Sequence, residues 1–165
     1  MTRTDLHWTL APLDALDARA LHDCLRLRVE VFVVEQACPY PELDGLDALP
    51  GTRHLIGRAG NETVACARSL VDGADPEAPA RIGRVVVAAP WRGRGLAREL
   101  LARLLADLDA RCPERDVVLG AQLPAEALYG AFGFRRCSAE YLEDGIAHVD
   151  MRLARGRAGA ASARR

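Results

Sequence analysis

The chain has 165 residues and contains no lysine; all 22 of its Lys/Arg residues are arginine. That absence excludes Schiff-base catalysis on a side-chain amine. Long apolar runs are missing too: none approaches the roughly 18 residues a membrane helix needs. The opening residues, Met1-Thr2-Arg3-Thr4-Asp5, lack the apolar core of a secretion signal, so a cytoplasmic protein is expected. There is no C-x-x-C among the five cysteines, whose number is odd. Cys24, Cys66 and Cys137 sit among apolar or alternating residues and read as small buried hydrophobes. Cys38 lies in a proline-rich stretch and is expected at the surface, with no histidine beside it in sequence to activate a thiolate. Histidines 7, 22, 54 and 148 show no metal-ligand spacing, so no metal is expected. A net charge of −1 argues against a nucleic-acid partner.

Half the residues are hydrophobic, enough for one domain with its own core. The composition changes at Arg155. Residues 155–165 carry Arg155, Arg157, Arg164 and Arg165 among Ala, Gly and Ser, with no acid. The expected organisation is one domain over 1–154 and a disordered tail over 155–165.

Periodicity places the elements. Leu6 to Leu10 alternates and reads as a strand. Asp14 or Asp17 can cap a helix running to about Val31, with Leu16, Ala20, Cys24, Leu27 and Val31 on one face. Gln36 to Gly51 holds three prolines and two glycines and reads as a long loop. A hairpin follows, Arg53 to Ala59 with Thr63 to Val71, and then a strand over Arg81–Val87. An amphipathic helix continues to about Arg111, and Asp116 to Gln122 is a β-branched strand. Pro124 to Ala131 is a short helix, and Phe134 to Ala139 and His148 to Leu153 are the last strands. The order is β-α-βββ-α-β-α-ββ, a mixed sheet with helices on its faces.

The most informative residues are Arg92-Gly93-Arg94-Gly95-Leu96-Ala97, between a strand and a helix. Free N–H groups of a helix's first turn carry partial positive charge. Glycines let the main chain approach an anion, and arginines offer forked donors for phosphate oxygens. A P-loop would need Gly-Lys-Ser/Thr. A dinucleotide fingerprint would need an acid about 20 residues on, and Glu99 and Asp107 fall too early.

What remains, Arg92-x-x-Gly95-x-Ala97, resembles the pyrophosphate loop of the GNAT N-acetyltransferase family. Tyr129-Gly130-Ala131-Phe132-Gly133-Phe134 matches a second GNAT motif in the right order. Arg28 to Tyr40, then Glu42, Asp44-Gly45, Asp47, Thr52 and His54, with Glu143-Asp144-Gly145-Ile146, His148 and Met151, resemble the ElaA-like branch. The likeness covers about Trp8 to Leu153.

That resemblance implies an α+β fold: a mixed, mostly antiparallel sheet of six to seven strands with about four helices, splayed between the fourth and fifth strands. It implies acetyl-CoA as cosubstrate and a small-molecule or peptide amine as acceptor, with no membrane or nucleic-acid partner and a possible homodimer. Gly93, Gly95, Leu96 and Ala97 would hold pyrophosphate through the main chain, assisted by Arg92 and Arg94. The backbone of Val85, Val86 and Val87 would bind the pantetheine arm. Tyr129 takes the place of the general acid.

For the base, Glu35, His54, His148 and Glu143 stand as candidates, with Glu35 and His54 first because they flank the proline-rich loop. Tyr40, Glu42, Asp44 and His148 are expected around the acceptor, where the acids would favour a cationic amine. Without lysine the protein offers no self-acetylation background on that residue. Two other readings share these motifs: a non-catalytic acyl-CoA sensor, and an acyl-homoserine-lactone synthase using S-adenosylmethionine.

Overall fold

Alternating apolar residues and two leucine-rich helical faces dictate a sheet covered on both sides. The computed structural model describes residues 6–156; the expectations for Met1–Asp5 and for residues 157–165 lie outside them. In chain order the elements are β1 (Leu6–Ala11), α1 (Ala18–Arg28), β2 (Thr52–Ala59), β3 (Glu62–Leu70), β4 (Ala80–Val87), α2 (Leu96–Arg111), β5 (Val117–Gln122), α3 (Glu126–Gly130), β6 (Arg135–Arg136), β7 (Tyr141–Glu143) and β8 (Ile146–Leu153). The sheet runs β1-β2-β3-β4-β5-β8-β6, with β7 also on β8. β4–β5 is its parallel pair and the other pairings are antiparallel.

α2 buries Leu96, Leu100, Leu101, Leu104, Leu105 and Leu108, at spacings that make one face. They meet Ala80, Ile82, Val117, Leu119, Ala121, Val149 and Met151 on the sheet. α1 covers the opposite face, where Ala20, Cys24 and Leu27 pack with Ile56, Cys66 and Val86. Asp17 caps α1 by accepting from the Ala20 N–H at 2.8 Å.

Three local expectations change. The first helix does not stop near Val31; α1 ends at Arg28 and widens into a π-helical turn over Val29–Glu35. Gln36 N donates to Val31 O and Cys38 N to Val33 O, each five residues back and each at 3.1 Å. Val29, Val31, Val33 and Val34 are stiff at Cβ and crowd an α turn, and such turns recur at functional sites. Next, the strand expected over Phe134–Ala139 shrinks to β6, because the Ser138 hydroxyl accepts the Asp150 N–H (2.9 Å) where a backbone carbonyl would continue the ladder. β7 then takes up the rest of that edge of β8, giving eight strands.

Last, two cysteines trade places. Cys38 is buried and its thiol donates to Asp144 O at 3.6 Å, tying the proline-rich loop to the β7–β8 turn, while Cys137 is exposed. Arg155 N donates to Asp116 Oδ1 at 2.8 Å, and Arg155 Nη2 sits 2.6 Å from Asp109 Oδ1.

Candidate active site

β4 and β5 pair only at Ala80↔Val117 and Arg81↔Val118. β5 stays paired with β8 along its whole length, but β4 bends away. The cause is a bulge. Cys66 faces Val86 and Arg68 faces Gly83, so two β4 residues oppose one on β3, and Arg84 takes a left-handed φ of +55°. The bulge also reverses the alternation: Ile82 lies in the α2 core and Val86 in the α1 core. Between the parted strands opens a cleft of about 930 Å³. Val85, Val86 and Val87 line it, with a free strand edge where a neighbour would pair.

At the end of β4 the loop turns through Gly93 (φ +74°) and Gly95 (φ +85°) into α2. Nothing lies within 4 Å of where either Cβ would stand. The first helix amide with a backbone partner is that of Glu99, bonded to Gly95 O at 3.1 Å. Those of Leu96, Ala97 and Arg98 are the unpaired donors of a helix start, which suits an anion. The two loop arginines are not aimed as expected. Arg92 gives its fork to Glu35 (Nη1–Oε1 2.7 Å, Nη2–Oε2 2.9 Å) and its Nε to Val87 O at 3.0 Å. Arg94 stacks 4.8 Å over the Trp91 ring. The loop thus offers main-chain N–H groups to an anion, with the Arg92 fork already taken.

Tyr129 reaches the cleft from α3 on the α2 side of the sheet. Burial pushes its phenol up to about 12, so it holds its proton at any working pH. The other side of the cleft is built by Tyr40 and Asp44 of the proline-rich loop, by Arg84, and by Tyr141, Glu143 and His148 of the β7–β8 hairpin. Burial raises the Tyr40 phenol, and the Arg84 guanidinium lies 5.7 Å from its ring centre.

The acids expected to attract an amine are already neutralised. Arg28, only 1 % exposed, donates to both Glu42 oxygens (2.8 Å each) and to Asp47 (2.7 and 3.0 Å). Arg68 bonds Asp44 and Asp47, and Arg84 bonds Asp44 while its Nε lies 2.7 Å from Glu42 Oε1. Three carboxylates meet three guanidiniums, and Glu42 is buried away from the cleft. Burial would raise Asp44, but Arg68, the Leu46 N–H and Arg84 together bring it down to about 2.

His54 is not brought to the cleft. It is 1 % exposed, its Nε2 donates to Asp47 O at 3.1 Å, and burial lowers its pKa. Glu35 does line the cleft, but the Arg92 hydrogen bonds hold its carboxyl below the ordinary range, which makes it a weaker base. His148 lines the cleft with Nδ1 2.8 Å from Ile146 O.

The sequence reading missed Arg84, Tyr141 and the pair Gln36–Gln122, whose amides exchange hydrogen bonds at 3.1 and 3.4 Å. A non-glycine residue entering a bulge leaves no sequence signal, and neither does a pairing 86 residues apart. Tyr141 could have been found as the aromatic just before the Glu143-Asp144-Gly145 turn.

Residues 21–155 match the model of the acetyltransferase (GNAT) domain family. The chain belongs to this family. A UPF0039 protein of Mycobacterium tuberculosis is 46% identical over 138 residues, covering 82% of this chain and 85% of that one. An acyl-CoA N-acyltransferase structure from Pseudomonas aeruginosa superposes with a TM-score of 0.85 at 41% identity, covering 91% of this chain and 100% of that one. Escherichia coli ElaA also gives 0.85, at 37% identity, covering 90% of this chain and 99% of that one. The GNAT fold and the ElaA-like likeness thus hold over most of the chain. Family members act on amine acceptors in general. Among the described residues no helix is long and apolar enough to cross a membrane, and no group of three His, Cys, Asp or Glu side chains is placed to hold a metal ion.

Proposed function

We propose that this protein moves an acetyl group from acetyl-CoA to a primary amine of a small molecule or a protein, by direct attack in a ternary complex in the cytoplasm. The observation that carries the reading is the split between β4 and β5. Arg92, just before the Gly93–Gly95 turn, lines the opening, as do Tyr129 of α3 and His148 of the β7–β8 hairpin. Acetyl-CoA supplies the activated acyl group. The left-handed glycines and first-turn amides suit its pyrophosphate. The free edge of Val85–Val87 suits the amides of its pantetheine arm, as an added strand would be held. A backbone N–H there can polarise the thioester carbonyl. Tyr129, kept protonated by burial, suits the role of proton donor to the departing thiolate.

The test is incubation of purified protein with acetyl-CoA and a panel of amines and peptides, reading free thiol. The expected result is a hit whose kcat falls about 10²-fold in Tyr129→Phe with acetyl-CoA binding retained. Acetyl-CoA binding with no hit across the panel favours the sensor. Lactone formation from S-adenosylmethionine favours the synthase reading.

A further inference from the structure

We infer that His148 is the general base of that reaction, accepting the proton of the acceptor ammonium at Nε2. The inference rests on the transferase reading of the cleft. Three geometric facts carry it. A carbonyl oxygen only accepts, so the 2.8 Å contact with Ile146 O puts the ring proton on Nδ1 and leaves Nε2 with its lone pair. The ring is fixed in plane by stacking on Tyr141, with centroids 5.9 Å apart and planes 21° from parallel. Its side chain is 11 % exposed and lines the cleft, opposite Gln122 in the β5–β8 register.

The surroundings favour what the base step would produce. Glu143 Oε2 lies 3.8 Å from Nε2. A carboxylate gains nothing from a lone pair, but it stabilises the imidazolium once Nε2 carries a proton. The other titratable groups nearby are Tyr141, which donates to Asp150 Oδ1 at 2.8 Å, and Asp144 with the buried Cys38 thiol bonded to its carbonyl. Tyr129 faces the same cleft from α3.

The protons balance. An ammonium acceptor has three. His148 takes one, freeing the lone pair that forms the new N–C bond. The C–S bond breaks with its electron pair on sulfur, which takes the Tyr129 hydroxyl proton. A second amine proton leaves as the amide forms and returns, through solvent, to Tyr129. The third stays on the amide. The net proton released is the one that His148 carries away.

Two measurements test this on the full chain. The first is the pH profile of kcat/KM for wild type and His148→Gln, whose amide can still donate to Ile146 O but cannot act as a base. The expected variant loses about 10²-fold or more at neutral pH and loses the acid limb, with unchanged acetyl-CoA affinity. A variant within threefold of wild type, or one that keeps the limb, overturns the assignment to His148 and leaves the transferase reading standing. Wild type that acetylates no amine overturns both. The second needs no acceptor: ring ¹H–¹⁵N correlation spectra of wild type should show the Nδ1–H tautomer. The Nε2–H tautomer at neutral pH overturns the inference even in an active enzyme.

Discussion

Glu35 and Arg92, 57 residues apart, close on each other as a bidentate ion pair inside the cleft. One partner ends the π-helical turn and the other opens the glycine-rich turn before α2. The carboxylate therefore occupies a fork that a phosphate could use. Glu35→Gln should leave kcat within about twofold and lower the KM for acetyl-CoA roughly three- to tenfold, as the freed guanidinium turns to the anion. Steady-state kinetics decide it. A drop in kcat of about 10² with KM unchanged would make Glu35 the base instead.

Gly95 sits at φ +85° one residue before α2. An alanine there meets no neighbouring atom but must hold a left-handed backbone, at a cost of about 1–2 kcal/mol. Gly95→Ala should therefore lower the urea midpoint modestly and weaken acetyl-CoA binding about tenfold, as the cradle relaxes away from that conformation. Calorimetric titration checks it; unchanged affinity would show that the cradle does not depend on this turn.

Arg28 joins α1 to the proline-rich loop through Glu42 and Asp47, and it is almost wholly buried. Replacing it by methionine leaves two carboxylates without their main counter-charge. Arg28→Met should cost about 3–5 kcal/mol in urea unfolding. A loss under about 1 kcal/mol would mean that water reaches the network.

Asp44 supplies a pH dependence. Its carboxyl lies at about 2 in the folded chain against an ordinary 3.8. A depressed folded value adds stability that is complete above the ordinary value and is lost as pH falls through the folded one. Between about pH 4 and 2 the protein should lose stability through this group, by less than the full shift because solvent screens the exposed carboxyl. Urea midpoints across that range should fall less steeply in Asp44→Asn; identical slopes would remove Asp44 from the account.

Local chemistry was legible. The turn over Arg92–Ala97 showed itself through two glycines before an amphipathic run, and both take left-handed φ values in the fold. The β2–β3 hairpin showed itself by alternation across Gly60. The acceptor side was less legible. Glu42 and Asp44 look like a bare acidic loop in sequence, and their arginines come from α1, β3 and β4, at separations of 14 to 42 residues. His54 looked like a candidate base because it follows that loop; only the fold shows it buried with its proton given to Asp47 O.

The sequence by itself determined most of the element order and the two helical faces, because each follows from residues within a few positions of one another. The tertiary structure decided which charges cancel and which histidine reaches the cleft. Those depend on a single bulge at Arg84 and on pairings between distant strands, and neither leaves a periodic trace along the chain.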